Sequence, residues 1–428
     1  MKPTRWLSVT GAAVLTLTAA ACSSSSSTSS TGSTGSSAPA SSSTAVAAGS
    51  SVFGTPKKAT GSPYVFGMIN DETGAVTFPE GRQGAIAAVD YVNNYLDGIN
   101  GHPIVIDECT GDGTPATAAR CANQLVAAHP VAILGAADVG APASIPIYEH
   151  ANLAYLGGIP FTPVPETAPN SIQFWSVSVG DNAAAAVYAG KTLGLKSVAL
   201  IYFNNPQGSS LLPLVTPVFK AAGVTTIHDI GLSPTSPDPA PQAALVQSSG
   251  AQLAYVDVPN GCGNVLKALK SVGFTGKIIG IDPCGAPPVI AAAAGGANGM
   301  YIASPFLLQS GSSQQAQLFQ AAMAKWAAPG TLIDSISTAG FATVINVQQV
   351  LSAVSGSLTT ATILAAFKTG THQNFLSHPY TCNGQALKGA AAICNDYYLM
   401  NQIQNGVLTQ PDPTAWVTSA GYFQGLTG

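Results

Sequence analysis

The sequence predicts an α/β protein built from two similar lobes, each carrying a parallel sheet. Three observations lead there. From residue 63 onward, short β-rich runs alternate with helical segments. That rhythm occurs twice, end to end, and a βαβ rhythm means a parallel sheet covered on both faces. Apolar residues make 46% of the chain, enough to build a core, while charged residues make only 8%, against roughly 25% in an ordinary soluble domain.

The first series opens with a strand at Tyr64–Asn70. Thr77 and Glu80 then stand at capping-box spacing, and Ile86, Val89, Val92 and Leu96 recur at helical spacing. Pro103–Glu108 is a strand, Ala116–Ala128 a helix and Val131–Leu134 a strand; a helix at Ala141–His150 and a strand at Leu153–Gly157 follow. After Phe174–Val179 the second series runs helix 182–193, strand Ser197–Phe203, helix 210–222, strand Thr225–Ile230, helix 240–248 and strand Leu253–Val258. Helix Asn264–Val272, strand Lys277–Ile281, helix 287–294 and strand Met300–Ala303 complete it. Residues 313–327, 336–354 and 360–369 are helical, with Leu318, Phe319, Ala322, Met323 and Trp326 on a buried face. Tyr397–Gln402 and Val407–Gln410 form a hairpin around Asn405-Gly406, a favoured turn dipeptide.

Lys2 and Arg5 precede an uncharged apolar stretch from Trp6 to Ala21, the pattern of a secretory signal and too short to span a membrane comfortably. It ends Leu17-Thr18-Ala19-Ala20-Ala21-Cys22, which resembles a bacterial lipobox with Ala19 where Leu is commoner. The resemblance implies that Cys22 is acylated and becomes the first mature residue; the alternative is a plain Ala-x-Ala signal with an incidental Cys. Fifteen of residues 23–51 are Ser, and no charge appears between Arg5 and Lys57. Such a tract has nothing to bury and reads as a flexible tether. Residues 1–21 are thus a signal peptide, 22–62 anchor and tether, and 63–428 the folding body. The body offers no run of 18 apolar residues. Fifteen basic residues at net charge −4 cannot supply a phosphate-tracking stripe, which excludes nucleic acid as a partner.

Beyond Cys22 there are six cysteines: Cys109, Cys121, Cys262, Cys284, Cys382 and Cys394. An even number in an exported chain points to disulfides. Six allow fifteen connectivities, and sequence proximity favours 109–121, 262–284 and 382–394. With no CxxC, HxxxH or Cys-His cluster, no metal site is expected, and no cofactor.

Taken in order and rhythm, residues 63–410 resemble type I periplasmic solute-binding proteins of the branched-chain amino acid (leucine-binding-like) class, substrate-binding lipoproteins of ABC transporters. The local matches are the Gly81–Val92 helix, Ile147-Tyr148-Glu149, the Lys270–Pro283 stretch with its strand end Gly280-Ile281-Asp282, and Ser377–Cys382 followed by Cys394, as in actinobacterial members. The resemblance implies two Rossmann-like lobes joined by three hinge crossings, placed by order near residues 179, 305 and 380. Lobe one is then 63–178 plus 305–380, and lobe two 179–304 plus 381–428. It also implies a monomer, a small-molecule ligand that bridges and closes the lobes, and a membrane ABC permease that recognises the closed form.

In open α/β sheets ligands bind beyond the carboxyl ends of the strands, so the site is sought there. Asp282 follows a buried strand; in amino-acid-binding relatives an acidic residue there holds the ligand ammonium, while a carboxylate there also suits a helix N-cap. The lobe-one loop Gly135–Ala141 lacks the hydroxyls relatives use for an α-carboxylate. Its bare amides still suit an anion, whereas Asp138 repels one unless it is turned away or caps the helix. Thr162 is the substitute hydroxyl and Phe161 a packing surface. Asn205 and Gln207 occupy the loop where relatives carry an aromatic clamp. Phe78 is a lid aromatic or a contact on the helix start. Two acidic lips, Asp138 and Asp282, suit an amide, a polyol or a cationic solute as well as an amino acid. A 262–284 disulfide stiffens the lip beside Asp282, and Cys109 stands near a family disulfide position with Cys121 as the replacement partner.

Enzyme motifs are missing. There is no GxSxG, HExxH or GxxxxGK[ST]; Lys368-Thr369-Gly370 has no SxxK to accompany it and reads as a helix end with a Gly cap. Gly111-Asp112-Gly113 lacks a third glycine at Ala116. The six histidines form no constellation. The expected function is an exported solute-binding lipoprotein, lipid-anchored to the outer face of the cell membrane, that delivers an amino acid or related small polar molecule to an ABC importer. A sensor of the same fold that signals to a membrane partner, and a purely structural envelope lipoprotein, are the competing readings.

Overall fold

The computed structural model describes residues 52–425, apart from 75–76, 178, 210, 236–237 and 260 and the side chains of 206, 207 and 211. The signal segment, Cys22 and the Ser-rich tract therefore lie outside the described residues.

Nearest the N-terminus, lobe one is a parallel sheet of five strands. β1 (Tyr64–Asp71), β2 (Ile104–Gly111), β3 (Ile133–Leu134), β4 (Tyr155–Leu156) and β5 (Ser171–Ile172) run in the order β2-β1-β3-β4-β5. The second lobe repeats that order. Its β6 (Ser197–Phe203), β7 (Thr226–Leu232), β8 (Leu253–Asp257), β9 (Lys277–Gly280) and β10 (Tyr301–Ser304) form β7-β6-β8-β9-β10, all parallel. β11 (Tyr397–Gln404), β12 (Val407–Thr409) and β13 (Val417–Thr418) extend this sheet antiparallel beyond β10. Between β11 and β12, Asn405 and Gly406 both adopt positive φ (52° and 78°), which the two-residue hairpin turn requires.

Each sheet carries its own core. Phe66, Met68, Leu134 and Leu156 of lobe one pack with Phe174, Trp175, Phe319, Phe341 and Phe367. Leu200, Phe219, Tyr255 and Ile279 centre one face of lobe two, and Ile201, Val256, Leu266 and Ile302 the other. The chain passes between these cores at residues 175–179 and 303–306. It passes again at 380–394, where Cys382 and Cys394 join the lobe-one core while Leu387, Ala390 and Ile393 pack into lobe two.

α1 (Pro79–Tyr95) and α12 (Ser335–Leu351) lie against each other on lobe one. Their approach is backbone to backbone: a Cβ on Gly84 would lie 2.0 Å from the Ser337 carbonyl oxygen, and one on Gly340 2.0 Å from that of Gly81. Only glycine permits this, so both helix N-termini reach the same end of the lobe. The expected capping box at Thr77 and Glu80 does not form. Phe78 is the N-cap residue, without a side-chain cap, and Pro79 opens the helix with its φ preset. A capping box does start α12, where Asp334 accepts from the Ser337 N–H and the Ser337 hydroxyl folds back.

The body begins earlier than expected. Residues 52–62, assigned above to the tether, lie on lobe one. Lys57 and Ala59 N–H groups bond the carbonyls of Asn94 and Asn93, Lys57 pairs with Asp97 at 2.9 Å, and Phe53 packs against Trp326, Tyr95 and Tyr91. A single aromatic in a Ser-rich tract has no periodicity to announce it. Three disulfides, Cys109–Cys121, Cys262–Cys284 and Cys382–Cys394, are those expected from proximity. No helix among the described residues is long and apolar enough to cross a membrane.

Candidate functional site

At the carboxyl ends of the two sheets a hydrogen bond joins the lobes. The Ser335 hydroxyl, in the first turn of α12 on lobe one, donates to the Asp282 carboxylate on lobe two. Asp282 opens a short 3₁₀ turn, Asp282–Gly285, directly after β9, and caps no helix. The Cys262–Cys284 disulfide ties that turn to the start of α9 (Cys262–Ser271). Burial pushes the Asp282 carboxyl up to about 6; the Ser335 hydrogen bond opposes this and the Asp334 charge adds to it.

On lobe one the loops are held by acidic and amide side chains from the end of β1. The Asp71 carboxylate, buried, accepts the N–H groups of Gly113 (3.0 Å) and Val139 (2.8 Å). Asn70 Oδ1 accepts the Ala137 N–H at 3.2 Å, and its Nδ2 donates to the Phe78 carbonyl at 2.9 Å. Two side chains thus bind three strand-end loops together. They also occupy the Ala137 and Val139 amides of the loop that the sequence offered as an anion cradle, and Ala141 N–H is spent on the Asp138 carbonyl. Asp138 itself is 3% exposed and turned inward, accepting from Ser144 Oγ of α3 (Ala141–His150) at 2.8 Å. Its second oxygen has no partner, and burial pushes the carboxyl up to about 7.

Phe78 and Phe161, far apart in sequence, stack with ring centroids 5.0 Å apart and planes at 22°. The adjacent Thr162 hydroxyl is buried without a hydrogen-bond partner and does not cap the short helix α4 (Pro163–Thr167) that it precedes. On lobe two, Asn205 is turned to its own backbone: its Oδ1 accepts the Gly208 N–H at 2.8 Å in the helical turn Pro206–Ser209. The Gln207 side chain lies outside the described residues.

Asp282, Phe78, Phe161 and Thr162 therefore stand at strand ends, while Asp138 and Asn205 spend their oxygens within their own lobes. The sequence pattern offers Glu80 only as a capping residue and gives no role to Asp334 and Ser335 of lobe one or to Asp181 and Asp257 of lobe two. Asp257 ends β8 as Asp282 follows β9, a signal that was available. Glu80 and Asp334 stand at helix N-termini that only the α1–α12 contact brings together. Burial pushes Glu80 up to about 7, with Asp334 and Glu72 adding repulsion, and Asp257 up to about 6. Asp181, in the first turn of α5 (Gly180–Val187), is raised by burial and by the charges of Asp257, Glu166 and Asp282. Among the described residues no three His, Cys, Asp or Glu side chains converge to hold a metal ion.

The sequence has no match among curated proteins. Solved structures share its fold at low identity. A leucine-binding protein from Thermotoga maritima superposes with a TM-score of 0.67 at 16% identity, over 83% of this chain and 99% of its own. An ABC transporter substrate-binding protein from Sphaerobacter thermophilus gives 0.71 at 16%, over 84% and 99%. An ABC transporter solute-binding protein from Rhodopseudomonas palustris, in complex with p-hydroxybenzoic acid, gives 0.69 at 16%, over 83% and 97%. The periplasmic binding protein model matches residues 63–401, most of the chain and all ten parallel strands. Matched over most of its length and with the same strand order in both sheets, this chain belongs to the periplasmic binding protein family, whose members bind solutes and are not enzymes.

Proposed function

We propose that this protein is the extracytoplasmic receptor of an ABC importer, capturing a small polar solute between its lobes. The observation that carries the reading is the Ser335–Asp282 hydrogen bond, which joins the lobes at the carboxyl ends of their sheets. Contacts a ligand makes with both lobes exist only when they are closed, so binding shifts the population toward the closed form that a permease recognises. The crossings at 175–179, 303–306 and 380–394 are the hinge in this scheme, with lobe one supplied by 63–178 plus 305–380, joined by residues 52–62 that pack on it, and lobe two by 179–304 plus 381–428. Acylation of Cys22, after removal of residues 1–21, holds the receptor to the outer face of the membrane as a monomer.

The likeness to a leucine-binding protein and to a p-hydroxybenzoate complex supports an amino acid or a related small molecule as the class of ligand. A thermal-shift screen of the purified protein against amino acids, amides, polyols, amines and small carboxylates tests the reading. A ligand selective for the folded state raises the midpoint with its concentration. Saturable stabilisation by one class is the expected result, and no stabilisation by any would overturn the assignment.

A further inference from the structure

We propose that the cleft selects an organic cation carrying ammonium or guanidinium groups, held by carboxylates from both lobes; the proposal rests on the solute-binding reading above. Five carboxyls stand at the strand and helix ends on its two sides. Glu80 and Asp334 come from the touching N-termini of α1 and α12, and Asp282, Asp257 and Asp181 from the ends of β9 and β8 and the first turn of α5. The two lobes bring their carboxyls close: Asp334 adjoins Ser335, whose hydroxyl reaches Asp282 across the lobe boundary.

Two of these groups are almost wholly buried and lack a basic partner. Glu80 is 7% exposed and bonds no other residue among those described. Asp181 is 6% exposed, and its carboxylate accepts the N–H of its neighbour Asn182 at 2.6 Å. Buried carboxylates are ordinarily paired or fully hydrogen-bonded. Here no basic side chain answers them. Among the described residues the ion pairs are Lys57–Asp97 and those of Arg82 with Glu72 and Glu108, and none involves the five.

Two alternatives fit the geometry less well. A metal ion needs ligands that converge, and no three acidic, His or Cys groups among the described residues do so. Charges on a molecule of several ångströms match carboxyls spread across two lobes. A carboxylate ligand needs donors, yet the lobe-one amides at Ala137 and Val139 are already spent on Asn70 and Asp71. The stacked Phe78 and Phe161 rings supply an apolar wall for the carbon frame.

Isothermal titration of the full-length protein at neutral pH tests the assignment. The probes are 1,4-diaminobutane, agmatine, n-butylamine, 1,4-butanediol, leucine and 4-hydroxybenzoate. Saturable binding of an amine or agmatine is expected, with the diol and hydroxybenzoate at least about tenfold weaker. Charge-assisted hydrogen bonds of this kind imply a loss of about tenfold or more in Asp282→Asn and in Asp181→Asn. Both substitutions keep side-chain shape and relieve repulsion, so the variants fold. Asp229→Asn, at an exposed mid-strand position of the edge strand β7, leaves affinity unchanged. If leucine, the diol or hydroxybenzoate binds saturably and the amines do not, the solute-binding reading stands and the cation assignment falls. Amine binding that survives both cleft substitutions also overturns it, and silence from every probe counts against both readings.

Discussion

Acidifying this protein from about pH 7.5 to about pH 5.5 should raise its thermal midpoint, and Asp138 shows why. Its carboxyl is 3% exposed, with one oxygen bonded to Ser144, the other unpartnered, and the Asp71 charge nearby; Tyr148 and Tyr155 close the pocket. Burial lifts it from 3.8 to about 7. The unfolded chain releases this proton above about 3.8, while the folded chain keeps it to about 7. Between those values the folded state holds more protons, so the stability contributed by this group is complete below the lower value and is lost as pH rises through the upper. The slope is about 1.4 kcal/mol per pH unit, which integrates to about 2 kcal/mol between pH 5.5 and 7.5. At about 2 °C per kcal/mol for a chain of this size, Asp138 alone gives about 4 °C. Glu80, Asp282, Asp257 and Asp396 are raised by burial and act in the same direction. Differential scanning calorimetry at the two pH values, on wild type and Asp138→Asn, reads this directly. Asp138→Asn should reduce the pH-dependent difference by about 2 kcal/mol. A midpoint that is flat or falls on acidification, or an Asn variant with undiminished pH dependence, would refute the argument.

Three further outcomes follow from packing. Gly84→Ala places a Cβ 2.0 Å from the Ser337 carbonyl and must push α1 from α12, costing about 2–3 kcal/mol by overpacking; chemical denaturation measures it. Trp175→Phe leaves the Gly158 carbonyl without the indole N–H now 2.9 Å away, a loss of about 1–3 kcal/mol in the same assay. Phe53→Ala removes ring contacts at 4.9 Å to Trp326 and 5.1 Å to Tyr95, worth about 1–2 kcal/mol. It should free the amides of Lys57 and Ala59 to exchange while those of β1 stay protected, and unchanged protection at 57–59 would contradict that anchoring role.

The sequence by itself determined the parts of this protein that depend on neighbours along the chain. Alternating strands and helices appear as local periodicity, and two runs of that rhythm become two sheets with the same strand order. Cysteines 12 to 22 residues apart pair as proximity suggests. The Asn405-Gly406 turn needs only two residues able to take positive φ. Helix boundaries were already less secure: Thr77 and Glu80 have capping-box spacing, yet Pro79 and the Phe78 conformation start the helix instead.

Only the tertiary structure decided what each polar side chain faces. Asp282 and Ser335 stand 53 residues apart and meet because two separate lobes come together. Asp138 looks like a lip residue from its place after β3, but Ser144 turns it inward, while Asp71 and Asn70 take the amides beside it. Glu80 and Asp334 form one acidic edge because glycines let two helices touch. Local spacing specifies which element a residue belongs to. Its charge environment is set by burial and by groups distant in the chain, and these exist only once the lobes have packed.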